Sequence, residues 1–187
     1  QECKEPNGFF LRTPTSKSTV SEVVFNTDFS DYQGGKDLSE INPITITLYL
    51  KYFGIISTGV VNSNYVLFTF DSNRDNRFEY DLSNKYFSVI LNNKIAYIID
   101  DNSPVHSNIT FKKIDFIGKW FYVAFSIYRS EDTSIQPHMI NFQVNNSLLK
   151  PEAGFDIKTE EVSFDSIIFK TEVLALYSSL KIYNSYI

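Results

Sequence analysis

The stretch GKWFYVAFSIYR, Gly118–Arg129, decides how the chain is read. Phe121, Val123, Phe125 and Ile127 alternate with Trp120, Tyr122, Ala124, Ser126 and Tyr128. That period of two belongs to a strand and not to a helix. Both sets are largely apolar, so the segment is expected in the middle of a sheet, covered on each side. Trp120 is the only tryptophan of the chain, and a sugar-stacking wall is the competing reading of so aromatic a segment. The core reading is preferred, because burial of several large side chains here would contribute about 2 kcal/mol each.

The same period recurs along the chain. ITITLYLKYF (44–53) sets Ile44, Ile46, Leu48 and Leu50 against Thr45, Thr47, Tyr49 and Lys51, and NYVLFTFD (64–71) repeats it. KYFSVIL (85–91) and KIAYIID (94–100) are joined by Asn92-Asn93. Asparagine tolerates positive φ, so the pair predicts a tight hairpin. HMINFQV (138–144) turns through Asn145-Asn146-Ser147, and FDSIIFK (164–170) and SLKIYNSYI (179–187) supply the last strands. No window carries a sustained helical period; EVLALYSS (172–179) allows one or two helical turns at most.

Composition agrees. Hydrophobic residues make up 43% of the 187-residue chain, which excludes disorder as its main state. Aromatics reach 16%, with 17 Phe and 12 Tyr, a composition that suits pleated, half-buried surfaces. The net charge of −5 and the absence of a Lys/Arg run exclude nucleic acid as an expected partner. Apolar runs fall far short of the ~20 residues of a membrane helix. The expectation is an all-β sandwich over residues 21–187, preceded by a polar segment, residues 1–20, that is a tail or is donated to a neighbour.

The amino-terminal QECKEPNG has no methionine and reads as processed, after signal-peptide removal or as a fragment. Cys3 is the only cysteine, so it is a free thiol or forms an intermolecular disulfide. Asn108-Ile109-Thr110 and Asn145-Asn146-Ser147 are glycosylation sequons. Together these features favour a secreted, extracellular or cell-surface protein.

The order of the pieces resembles the concanavalin A-like jelly roll, in its laminin G or pentraxin-like branch. ITITLYLKYF, YVLFTFD, YFSVILNNKIAYIID, KWFYVAFSIYR and INFQVNNSLL follow in the family's sequence, and LKIYN (180–184) is similar to its closing strand. The resemblance covers residues 20–187. It implies two antiparallel sheets, with glycans bound on the concave face or at rim loops. In relatives that bind calcium, it implies an Asp and backbone carbonyls from the rim, for which DFSD (28–31), Asp100-Asp101 and Glu131-Asp132 are available.

Catalysis is not expected. Hydrolases of this fold pair carboxylates on one strand in a pattern resembling E-x-D-x-x-E, and nothing here matches it. Glu79 and Asp81 in RFEYDL come nearest, and a solvated strand edge accounts for them. His106 and His138 sit in or beside polar loops, away from any recognisable nucleophile. In DSNRDNRFE (71–79), Asp71, Asn73 and Asp75 have the 1, 3, 5 spacing of a calcium loop, although Leu82 replaces the bidentate Glu. Tyr32, Tyr128 and Tyr177 are the residues available for stacking on a sugar, each with ordinary packing as its alternative.

Two functions remain. One is a non-catalytic structural or adhesive subunit that acts by self-association or through other extracellular proteins. The alternative is a lectin-like glycan-binding module, calcium-dependent if the 71–79 loop binds the ion.

Overall fold

The computed structural model describes residues 10–12, 22–25, 41–55, 64–100, 117–132, 134–145, 147–156, 162, 164–170 and 173–186. Cys3, Tyr32, Asn108, His106 and the 28–31 loop lie outside them.

The described strands are β1 (Phe10–Arg12), β2 (Glu22–Phe25), β3 (Ile44–Ile55), β4 (Asn64–Thr69), β5 (Arg77–Asp81), β6 (Tyr86–Leu91), β7 (Lys94–Asp100), β8 (Trp120–Tyr128), β9 (Met139–Val144), β10 (Ser147–Leu148), β11 (Ile167–Lys170) and β12 (Val173–Tyr183). They form two sheets. Sheet I has the order β1-β12-β3-β8-β9-β10 and sheet II the order β2-β11-β4-β5-β6-β7. Every pairing between these strands is antiparallel. β1, from the leading polar segment, pairs with β12 of the same chain, Phe10 opposite Ser178.

The opening stretch is β8, at the interior of sheet I between β3 and β9. Its inward set, Phe121, Val123, Phe125 and Ile127, is buried in the core with Ile44, Ile46, Leu48 and Leu50 of β3. Aromatic rings link the sheets: Phe87 to Phe121 at 5.4 Å, Phe70 to Phe125 at 5.5 Å and Tyr97 to Phe142 at 5.4 Å between centroids. Offset and edge contacts of this kind add to the burial of each ring.

Within the segment EVLALYSS, residues 173–179 are strand, not helix. Val173, Ala175 and Tyr177 of β12 face the core, and pairing with β3 on one side and β1 on the other fixes the extended backbone. Sheet pairing here overrides the good helix formers Leu and Ala. The Asn92-Asn93 hairpin forms as expected, with φ of 50° and 59° at the two asparagines.

Candidate functional site on the outward face of sheet II

Strand alternation leaves each sheet with an outward face. On β5, Phe78 and Tyr80 enter the core, so Arg77, Glu79 and Asp81 point outward. Register then assembles three rows across β5, β6 and β7. Arg77 faces Ile90, which faces Ile95; Glu79 faces Ser88, which faces Ile98; Asp81 faces Tyr86.

Arg77 and Glu79 form an ion pair, with Nε donating to Oε1 at 2.5 Å. The Glu79 side chain is only 8% exposed and that of Arg77 21%. Spacing of i, i+2 places both on one side of the strand, which is why they meet. The guanidinium is fixed from a second direction, since Nη1 donates to the Arg74 carbonyl at 2.9 Å and to Asn93 Oδ1 at 2.7 Å. A planar guanidinium held at several donors is pre-organised for a ligand's oxygen atoms.

The loops at this end hold that arrangement. Asn93 Nδ2 donates to Asp75 Oδ1 and Asn93 N to the Asp75 carbonyl, at 2.8 and 2.9 Å. Asn92 N donates to Asn76 Oδ1 at 2.9 Å. The β6–β7 hairpin is thus tied to the β4–β5 loop, and Arg77 spans the junction. Asp165, in the segment before β11, accepts from Ser72 N and Ser72 Oγ and braces the loop from the other side.

The calcium spacing of that loop has a different explanation. Asp71 is buried, and its oxygens accept the backbone N–H groups of Asn76 at 3.0 Å and Asp75 at 3.3 Å. Asp75 is engaged by Asn93, and Asn73 is exposed. Asp71 therefore closes the turn on itself, and Asp75 ties it to the β6–β7 hairpin. Among the described residues no group of three His, Cys, Asp or Glu side chains is placed to hold a metal. Burial raises the Asp71 carboxyl above the ordinary carboxylate range; the two backbone donors oppose this, and the charges of Asp75 and Asp165 add to it.

Of the stacking residues, Tyr32 lies outside the described residues, and Tyr128 and Tyr177 sit on opposite sides of sheet I. Tyr177 belongs to the core at 2% exposure, and its hydroxyl donates to the Leu67 carbonyl at 3.1 Å, tying β12 to β4. No sugar reaches that ring, and burial pushes its phenol well above the ordinary value. Tyr128 is half-buried on the outward face of sheet I, its hydroxyl 3.5 Å from Gln136. Asn145 sits in the hairpin between Val144 and Ser147, and its Oδ1 accepts from Tyr122 N. His138 is 9% exposed, and its Nδ1 accepts the Ser130 N–H at 3.0 Å, so it is a packing residue of the strand end.

Glu79 corrects the sequence reading. A solvated strand edge was expected, but β5 lies between β4 and β6, inside the sheet. The signal that could have found the pair is the Arg-x-Glu spacing itself: opposite charges two residues apart, alternating with Phe78 and Tyr80.

No family model matches the sequence, and no curated protein matches it. Solved structures do resemble the fold. The sialidase of Trypanosoma rangeli, in complex with a difluorinated sugar acid, aligns with 100% of this chain and 26% of its own length, at a TM-score of 0.52 and 9% identity. The fold is the concanavalin A-like jelly roll. The chain spans about a quarter of that sialidase. An endo-β-1,4-glucuronan lyase from the fungus Trichoderma reesei aligns over 93% of this chain and 79% of its own, at 10% identity and a TM-score of 0.48. Sheep galectin-11 in complex with glycerol aligns over 96% and 100%, at 9% identity and a TM-score of 0.39. This jelly roll is shared by lectins and carbohydrate-active enzymes alike.

Proposed function

We propose that the protein is a non-catalytic, extracellular glycan-binding module whose ligand lies across β5, β6 and β7 on the outward face of sheet II. The Arg77–Glu79 pair carries this reading. A sugar hydroxyl donates and accepts at once, and a guanidinium beside a carboxylate offers donors and acceptors side by side. Because Arg74 and Asn93 already hold the guanidinium, little side-chain entropy is lost on binding. Ile95, 44% exposed, and the half-buried Tyr86 provide apolar surface on the same face for the carbon skeleton of a sugar ring.

The fold is consistent with this use without assigning it. The laminin G or pentraxin-like branch is the finer placement we favour, on the closing LKIYN strand and the order of the hairpins. The adhesive, self-associating reading is the second one, resting on the lone Cys3 and the polar leading segment.

The test is a glycan array probed with the full chain, followed by Arg77→Ala. Retention on a defined subset, reduced at least tenfold by the substitution, with the bound glycan recovered intact, is the expected result. Absence of retention, or binding indifferent to Arg77, overturns the proposal. Cleavage of the bound glycan overturns its non-catalytic part. Binding lost in EDTA would restore the calcium-dependent form.

A further inference from the structure

We infer that Asn145 carries an N-linked glycan whose first residue packs on Tyr122, so that the outward face of sheet I is covered by the protein's own sugar. Three observations converge on this hairpin. Asn145, the acceptor of the sequon Asn145-Asn146-Ser147, directly follows β9, and Ser147 opens β10 and pairs with Val144. Asn145 is half-buried with φ of 53°, a left-handed conformation that asparagine adopts readily. Its backbone N–H donates to the Tyr122 carbonyl at 2.7 Å, while its Oδ1 accepts the Tyr122 N–H at 3.0 Å.

That last bond matters chemically. Oligosaccharyl transfer uses Nδ2: the sugar C1–N bond forms as the C1–O bond to a polyprenyl diphosphate donor breaks. One amide proton is lost, and the diphosphate departs. Oδ1 keeps its lone pairs throughout, so the contact with Tyr122 N survives modification and holds the attached sugar in one direction.

The surface beside the turn suits a sugar. Tyr122 points outward from β8, opposite Tyr49 of β3, with ring centroids 5.0 Å apart and planes tilted by 53°. Both rings are half-buried, so they form a platform at the height of the sheet. Asn145 lies at the end of the same row, across from Tyr122. The apolar face of a pyranose ring leaving Asn145 meets aromatic carbon there, where a water-exposed glycan would meet none. The second sequon, at Asn108, lies outside the described residues, and nothing in this inference depends on it.

The experiment uses the full chain secreted from a eukaryotic host. Peptide mass analysis is expected to find a glycan on Asn145. Ser147→Ala, which removes the sequon and leaves the asparagine in its turn, is expected to abolish that glycan and lower the Tm by about 2–4 °C. In a Tyr122→Ser background the same substitution is expected to produce no further drop. Protein made in a non-glycosylating bacterial host supplies the control, with Ser147→Ala expected to leave the Tm unchanged. An unmodified Asn145 overturns the inference. So does a Tm loss that persists without Tyr122 or appears in the bacterial protein, since either traces the effect to the polypeptide. Should the double variant not fold, trimming the native glycan to its first residue gives the second readout. The Tm should survive trimming and fall on complete removal; a fall already on trimming overturns the packing of that first residue.

Discussion

The outward faces of the two sheets are built by the same alternation and end as different chemistry. On sheet I the buried outward residues include Thr45, Thr47, Ala124, Ser126 and Ser178, and Tyr49 packs on Tyr122. Thr45 bonds Ser126 across the strands at 2.7 Å, satisfying the hydroxyls within the sheet. On sheet II an ion pair bridges two neighbouring rows, and loops from two hairpins grip its arginine. A face whose buried hydroxyls bond one another and whose rings pack together is finished as a surface. A face whose Arg is clamped in place while still partly exposed is prepared for a further partner. The lesson is that alternation identifies a face, and only the bonding of its polar groups identifies a use.

Substitutions can break this contrast. The largest stability effect belongs to neither face but to the core they share. Phe78→Ala removes a ring that contacts Phe68 at 5.3 Å and Phe87 at 5.6 Å, and a loss of about 3–5 kcal/mol by denaturant unfolding is expected. Next comes Glu79→Gln, which leaves Arg77 without its counter-charge. Because Arg77 is partly exposed, the expected stability cost is only about 1–2 kcal/mol. Glycan retention should fall with it, whereas Tyr122→Ser on sheet I should leave retention intact. Equal losses from the two variants would erase the distinction between the faces.

Tyr177→Phe is expected to cost about 1 kcal/mol, by removing the hydroxyl that bonds the Leu67 carbonyl, without touching retention. A loss of glycan binding in that variant would show that the core ring matters to the site after all.

The smallest effect is a pH dependence. The folded-state carboxyl of Asp71 is raised, chiefly by burial, so the folded protein takes up that proton more readily than the unfolded chain. Its charged form weakens the fold at pH above the raised value, and the penalty disappears as pH falls below the ordinary carboxylate value. Asp71→Asn, which also turns one of the two accepting oxygens into a donor, should therefore compare best with the parent at neutral pH and lose ground toward acid. Stability curves in urea at several pH values measure it, and a variant that gains ground toward acid would contradict the assigned shift. Glycan binding should track stability here, since Asp71 acts on Arg77 only through the loop.

Much of the architecture was legible in the residues. β8 and β3 announced themselves by strict alternation, and the Asn92-Asn93 turn by the one side chain besides glycine that accepts a left-handed backbone readily. The site was far less legible. Asp71, Asn73 and Asp75 matched a metal spacing, yet that spacing also suits a carboxylate that closes its own turn, and sequence separation does not reveal which way an oxygen points. Tyr177 was open to both surface and core readings, because one aromatic in an alternating strand looks the same on either side until the partner sheet is placed. Residues 173–179 form strand where the sequence pattern allows one or two helical turns, because the neighbours β1 and β3 supply hydrogen bonds that no local propensity records.

The sequence alone determined the strand-forming segments, the hairpin turns and the all-β class, since period and turn chemistry are local properties of the chain. The tertiary structure decided which face of each strand is core, placed β5 inside sheet II, and joined Arg77 to Glu79, Arg74 and Asn93. Those outcomes depend on which strands become neighbours. Strand pairing is a long-range choice set by the packing of the whole sandwich, and no short stretch of sequence contains it.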